Sequence, residues 1–524
     1  MSARRTGRGA TLRILIGLSG PTLAVALVTI LLGAPMLGAG YGNAYDEGIS
    51  LSAGTFITHG LVPYRDFWLL YGPGSAYAAA ATIEVFGRNL VAFRRVALML
   101  VGVQASLGYL LARRLTSPLP AVVLATSAAV IPFLLAIPNI NAWSLAMLAA
   151  TSGLLAADRR GGLARFVAGS LIGLAFLCRL DLGGYALVAA LIAWRDRRLL
   201  LGFAAVAVPA ITLFTILVPV QDLYTQLLQY PLLLQPQFRG IPMSMPWGSA
   251  PLSAGPLGVY LVVALWYVPL LAIASGLYVV ARGRETPAIA MALVVFALLS
   301  RLQGLERADV AHEAQVLTPA WLLIGMWLPG AWRPSWPRRM LLIALIPAAL
   351  TPVIGAVVGL TAPRPSYDVQ LDQTVAYIRQ RTTRTQGIFV GLANNRFAQW
   401  NPLLAYFLAD RPPAAVDSMY NPGFTNTEQT ERAIAADLER TACPYLLLDR
   451  AWAGVFEMTN NSRIAGPTTL DAYIQEHYRP VLSLTYFLVM ERVPGGSGTI
   501  RSADLAAIPT VWPRTTTSDR AADP

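Results

Sequence analysis

YGNAYDEGISLSAGTFITHGLVPYRDFWLLYGPGSAYAAAATIEVFG, residues 41–87, lies between the first long apolar segment of the chain and the second. It opens on the acidic pair Asp46-Glu47 and carries the aromatic-rich run Pro63-Tyr64-Arg65-Asp66-Phe67-Trp68. A loop of this length directly after a first membrane span, with two carboxylates at its start, marks the place where chemistry is to be sought. Around it the chain is 55% hydrophobic and 13% charged with a mean hydropathy of +0.53, against roughly 25% charged residues in an average soluble domain. That composition defines a polytopic α-helical membrane protein and excludes an ordinary soluble enzyme.

The formal net charge of +12 does not point to nucleic acid, because the basic residues stand in small groups at the ends of apolar segments. Arg4, Arg5, Arg8 and Arg13 precede an apolar run over 14–34, long enough to cross about 30 Å of hydrocarbon. A cleaved signal peptide is the alternative, with Gly38-Ala39-Gly40 as the small residues, and either reading puts residue 46 outside. Further apolar segments cover 90–111, 118–137, 141–157, 164–180, 182–194, 199–219, 257–281, 286–300, 315–330 and 338–360, so about eleven spans are expected. Arg113-Arg114, Asp158-Arg159-Arg160, the arginines of 195–198 and 282–284, and those of 333–339 fall on the side of the N-terminus. That side is cytoplasmic by the bias of basic loops, and the cell membrane, as in the plasma membrane of a bacterium, is the expected location.

Before residue 360 only Asp158, Asp196 and Glu285 lie on the cytoplasmic joints, so the remaining acids gather on the outer face. Charges at membrane depth cost from about 2.5 kcal/mol upward unless paired or hydrated, which makes those retained there functional candidates. Residues 1–360 therefore read as a transmembrane domain whose first outer loop is 36–89. Residues 361–508 read as a small extracytoplasmic α/β domain, and 509–524 as a disordered tail. In the α/β domain, Ile388 to Gly391, Tyr445 to Leu448 and Val481 to Arg492 are expected strands, and Asp372 to Arg381 and Thr427 to Arg440 expected helices. Cys178 and Cys443 stand in unrelated contexts and carry no disulfide signal.

Asn43 is positioned to cap a helix from Ala44 to His59, ended by Gly60 and Pro63, with Asp46 and Glu47 in its first turn. The helix dipole there favours the negative charge a general base needs. Successive helical residues point about 100° apart, so one acid can face a cavity while the other supports it. The competing structural reading is that acids simply favour a first helical turn. Likewise an aromatic belt at headgroup level accounts for Tyr64, Trp68 and Tyr71, but it does not require Arg65 and Asp66. Those two can clamp neighbouring helices, or Arg65 can reach a lipid phosphate.

DEG at 46–48, then a short amphipathic helix, then PYRDFWLLYGPG at 63–74, directly after a first span, resembles the GT-C superfamily of integral-membrane glycosyltransferases. Protein mannosyltransferases, the aminoarabinose transferase of lipid A and the arabinosyltransferases are members. The resemblance implies an inverting transfer of a sugar from a polyprenyl-phosphate donor to an extracytoplasmic hydroxyl of a glycan, lipid or protein. It implies Asp46 as the base and Glu47 as the second acid of the pair. Arg179, Arg301, Arg307 and His312 are the expected donor-phosphate ligands, with Tyr64, Arg65, Asp66, Tyr71, Asp181 and Asp309 in support. Arg179 and Asp181 are equally readable as a self-satisfied ion pair at a hairpin. Asp309, His312 and Glu313 fall on one helical face, and Asp309 and His312 with Asp46 offer ligand types for a divalent cation, Mg or Mn. Metal-independent binding by the arginines is the preferred reading, with no certain cofactor. The polar segment 221–256, with Tyr224, Tyr230, Phe238 and Trp247, is a candidate lining for an acceptor or lipid groove; His59 and His477 read as structural. The rival classes are a multi-pass transporter or flippase and a lipid-linked glycan polymerase.

Overall fold

The structure is a computed structural model that describes residues 7–38, 40–41, 44–135, 139–242, 266–281, 287–327, 366–397, 399–451 and 460–493. The expected span 338–360, the arginine joints 282–284 and 333–339, Asn43, Trp247 and the tail 509–524 lie outside the described residues. The chain divides into two compact units. One comprises 1–38, 91–209 and 243–361; the other joins 39–90 to 210–242 and to 362–524.

The first unit is helical: α1 (Gly7–Gly33) is followed, after the outer loop, by α4 (Leu90–Ala112), α5 (Pro118–Leu135), α6 (Ala142–Ala157), α7 (Gly162–Cys178) and α8 (Leu180–Trp194). The first half of α9 (Arg197–Leu217) and the helices Val268–Ala281, Ala288–Glu306 and Val310–Ile324 complete it. Four helices among the described residues are long and apolar enough to cross a membrane, and five shorter apolar ones accompany them. Their side chains fit a lipid surroundings: Leu23, Leu31 and Met99 are exposed at 60%, 72% and 62%, which water would penalise and hydrocarbon does not. Small residues let the helices close on one another. A Cβ on Gly169 of α7 would stand 2.0 Å from the Leu199 carbonyl oxygen of α9, and one on Gly202 of α9 would stand 2.0 Å from that of Phe166. Polar side chains also bridge helices, as where Gln104 Nε2 donates to Thr151 Oγ1 at 2.9 Å.

In the second unit α2 (Asp46–Thr58) and α3 (Gly74–Phe86) pack on a small α/β core. Its sheet runs β1 (Phe389–Leu392), β2 (Tyr445–Asp449), β4 (Phe487–Arg492), β3 (Tyr478–Ser483), with β1 parallel to β2 and the other pairs antiparallel. Val481 to Arg492, expected as one strand, is instead the hairpin of β3 and β4, turning at 484–486. The helices Ser366–Arg381 and Glu428–Arg440 cover the expected positions, the second capped by Thr427, whose side chain accepts from the Thr430 amide. Phe389, Tyr420, Ile434, Leu438, Leu446 and Leu488 are at the centre of the core.

Candidate functional site

The acid pair Asp46-Glu47 lies in the second unit. The helix carrying it starts at Asp46, two residues later than expected, and its N-cap is Tyr45, in helical conformation with no side-chain cap bond. The Tyr45 carbonyl takes over by accepting from the Ile49 amide at 3.0 Å. The far end matches expectation, with His59 as C-cap and Gly60 at φ +84°, a left-handed turn that glycine adopts without strain. Glu47 is buried at 2% exposure, whereas Asp46 is only half-buried. One acid is thus partly exposed and its neighbour is held inside.

Gly48, the third residue of the motif, has a packing reason. The Leu404 amide donates to the Ala44 carbonyl at 2.9 Å, and a Cβ on Gly48 would lie 2.2 Å from the Leu404 nitrogen. Only a residue without a side chain lets the start of α2 meet the helix Leu404–Ala409 this closely. On the other face, Gly54 meets Ala79 and Ala80 of α3 in the same way.

The aromatic run is core within this unit. Phe67 and Trp68 are 0% and 4% exposed. Phe67 meets Phe56 edge-on at 5.1 Å, and Trp68 lies 4.2 Å from Phe424 and 5.7 Å from Tyr230. Tyr64 is buried at φ +69°, and its hydroxyl donates to the Tyr71 carbonyl at 2.7 Å. Gln226 then ties the run to the 210–242 segment, donating to the Tyr64 carbonyl and accepting from the Leu69 amide, each at 2.9 Å. Arg65 and Asp66 close on each other through two 2.8 Å bonds, and Asp66 also accepts from the Val62 amide at 2.8 Å. The Arg65 hydrogen bonds hold the Asp66 carboxyl below its usual range. These two residues shape the turn.

Arg239, unremarked in the sequence, stands beside the acids. Its guanidinium lies 5.5 Å from the centres of both the Tyr45 and Trp400 rings and 3.5 Å from the Tyr45 hydroxyl. Burial pushes that hydroxyl above its ordinary value; Arg239 opposes the shift and Asp46 adds to it. Arg239, Tyr45 and Asp46 therefore share one electrostatic environment. The signal available in the sequence was a cation closing an aromatic-bearing outer segment just before Gly240. In the same segment Tyr230 and Phe238 pack on the C-terminal residues, Phe238 against Gly423, while Tyr224 is 46% exposed. His59 is structural: its Nε2 meets Asp410 at 3.0 Å, and Arg88 and Arg384 meet the same carboxylate at 2.9 and 3.0 Å. His477 bonds the Tyr473 carbonyl at a helix end.

A separate cluster of arginines lies in the first unit, where the structure brings the two expected corners together. Arg179, between α7 and α8, is 8% exposed and forks onto Asp181 at 2.9 and 2.7 Å. Its guanidinium also stacks 5.1 Å from the centre of the Trp143 ring. Arg301 and Glu313 form a buried ion pair, 5% and 0% exposed, with Gly304 leaving the space they occupy. Asp309 caps the Val310–Ile324 helix by accepting from the His312 amide at 2.9 Å, meets the His312 ring at 2.8 Å, and pairs with Arg307 at 2.6 Å. Burial pushes the Asp309 carboxyl up, but the His312 and Arg307 charges and the hydrogen bonds outweigh it and hold it well below the usual range. The common neighbour is Glu306, which feels His312, Arg179, Asp181 and Arg307 together.

Three arginines thus face four carboxylates, an arrangement that is nearly neutral. Both Asp309 oxygens are engaged, and among the described residues no three His, Cys, Asp or Glu side chains converge as a metal site.

No protein-family model matches the chain, and no curated protein matches it in sequence. Its fold is nonetheless similar to those of two proteins of known structure. ArnT of Cupriavidus metallidurans bound to undecaprenyl phosphate superposes over 90% of this chain and 98% of its own, with a TM-score of 0.54 at 14% identity. The oligosaccharyltransferase of Archaeoglobus fulgidus in its apo form covers 90% of this chain and 74% of its own, with a TM-score of 0.54 at 13% identity.

Proposed function

We propose that the protein is an inverting glycosyltransferase of the cell membrane that takes a sugar from a polyprenyl-phosphate carrier and places it on an extracytoplasmic hydroxyl. The observation that carries the reading is the pair at the start of α2, one acid half-open and its neighbour buried, on a fold shared with an enzyme that binds undecaprenyl phosphate. Asp46 accepts the proton of the acceptor hydroxyl. The oxygen forms a bond to the anomeric carbon from the face opposite the carrier, the bond from that carbon to the phosphate oxygen breaks, and the phosphate leaves with its electron pair. One displacement inverts the anomeric centre. Glu47, held inside, positions the turn that presents Asp46.

Arg179, Arg307 and His312 are assigned to the phosphate, exchanging part of their carboxylate pairing for its oxygens as charge develops. Arg301, locked to Glu313, ties the helix Ala288–Glu306 to the helix Val310–Ile324. No step is routed through a metal. In this reading the N-terminus is cytoplasmic, the acid-bearing loop and the C-terminal residues are outside, and the acceptor is a glycan, lipid or protein of the envelope.

The test is release of free polyprenyl phosphate from a panel of polyprenyl-phosphate sugars, with crude envelope extract as acceptor, by wild type and Asp46→Asn in parallel. Release that depends on Asp46 is expected and names the donor. Equal release by both proteins removes Asp46 as the base.

A further inference from the structure

The C-terminal part of the second unit carries a groove that the proposed reaction does not use. It has a volume of about 520 Å³ and lies between the helix Ser366–Arg381 and the β3–β4 turn. Ser366, Gln370, Gln373, Ser483 and Thr485 line it with hydroxyls and amides, while Val369, 42% exposed, and Leu484 add apolar surface. Among the described residues no charged side chain is in the lining.

The polar groups are held from behind. Arg450, 7% exposed, donates through Nη1 to Ser483 Oγ at 3.0 Å and to the Leu484 carbonyl at 2.8 Å, and its amide donates to the Tyr486 carbonyl at 2.8 Å. Its Nη2 is buried with no hydrogen-bond partner, and among the described residues no carboxylate pairs with it. An uncompensated buried cation is costly, and it fixes the polarity of the wall. Ser483 Oγ, already accepting from Arg450, turns its hydroxyl outward as a donor. Gln370 Oε1 accepts from the Tyr486 amide at 2.9 Å, so its two N–H groups are the part left to the groove. Tyr367 and Tyr486 stand together at the edge, ring centres 5.6 Å apart, with the Tyr367 hydroxyl anchored on Asp449 at 2.6 Å.

A donor-rich, uncharged wall with apolar strips and tyrosines at its edge suits a ligand that is rich in acceptor oxygens and has C–H faces. We propose that this groove binds an oligosaccharide, the glycan part of the acceptor. The proposal rests on the glycosyltransferase reading and deepens it. It makes the acceptor a glycan chain, held at a place separate from the reacting acids.

The experiment uses full-length protein in lipid nanodiscs on an array of short neutral and acidic oligosaccharides. Wild type is compared with Gln373→Trp and Thr485→Trp, both at exposed positions where folding is preserved, and with Asp46→Asn. The expected result is wild-type binding to a subset of chains, weakened about tenfold or more by either tryptophan and unchanged in Asp46→Asn. Tenfold matches the loss of one or two net hydrogen bonds. Absence of oligosaccharide binding by wild type, or binding that both tryptophan variants keep, overturns the proposal. Binding to anionic phospholipid nanodiscs that the tryptophans abolish, with no glycan bound, overturns it as well and assigns the groove to a lipid headgroup. Failure of the catalytic reading appears separately, as transfer that survives Asp46→Asn.

Discussion

The two charged centres of the molecule are built on opposite plans. In the second unit, Asp46 and Glu47 occupy the first turn of α2, where a helix N-terminus favours carboxylates, and the surroundings are tyrosine, tryptophan and one arginine. In the first unit, Arg179, Arg301 and Arg307 are each fastened to a named carboxylate, and the cluster closes on itself. The first plan leaves an acid half-open at the start of a helix. The second uses charge to hold helices together in an apolar setting. Removing the Asp46 charge is therefore expected to alter chemistry, and removing that of Arg301 to alter stability.

Asp46→Asn is the sharpest way to break that contrast. A positioned base contributes about 10² to 10⁴-fold, so turnover is expected to fall by that factor while the thermal midpoint in detergent stays put. A large fall in the midpoint would show that Asp46 is structural after all. Arg301→Met inverts the pattern: it leaves Glu313 buried and unpaired, at an expected cost of about 3–5 kcal/mol. Adding Glu313→Leu is expected to restore most of the loss, because two apolar groups need no mutual compensation. A double variant no better than the single would show that the pair supplies more than mutual neutralisation.

Much of this plan was legible before the structure. The motif at 46–48 stood out because acids are scarce among apolar segments, and the membrane class followed from composition alone. What was not legible depends on partners remote in sequence. Nothing local says why residue 48 is glycine, since the reason is the Leu404 backbone. Nothing local shows that the outer loop groups with the C-terminal residues in one unit, or that Glu306 joins the two corners of the basic cluster. The β3–β4 turn passes through Leu484, Thr485 and Tyr486 without the glycine, proline or asparagine that signals a hairpin, so one long strand was the natural reading.

Gly48→Ala tests whether the start of α2 is as tightly fixed as its acid is open. A methyl 2.2 Å from a backbone nitrogen that is itself hydrogen-bonded cannot be absorbed by a side-chain rotation. The expected cost is about 1–3 kcal/mol, accompanied by a loss of turnover as Asp46 is displaced. Gly60→Ala, at a turn with open space around it but φ +84°, is expected to cost about 1 kcal/mol and leave turnover unchanged. Equal effects of the two on turnover would mean that the whole of α2, rather than its first turn, governs the acid.

The smallest effect concerns acids of the second unit that lie away from the α2 motif. Glu431 is 1% exposed; its Oε2 accepts from the Leu470 amide at 2.9 Å, but burial, with Asp471 and Glu428 nearby, pushes its carboxyl up to about 7. Burial likewise raises Asp417 to about 7, aided by Asp437 and Asp222. A carboxyl whose folded value lies above its unfolded one binds its proton more tightly in the native state, so it favours folding below the unfolded value of about 4.5 and loses that contribution as pH rises to about 7. Amide exchange in 428–440 and 469–477 is therefore expected to quicken between pH 5 and 7.5 beyond the intrinsic chemical acceleration. Glu431→Gln, which keeps the shape and cannot ionise, is expected to flatten much of that rise. A profile the same in both proteins would assign the pH response to Asp417, whose Asn variant then becomes the decisive comparison.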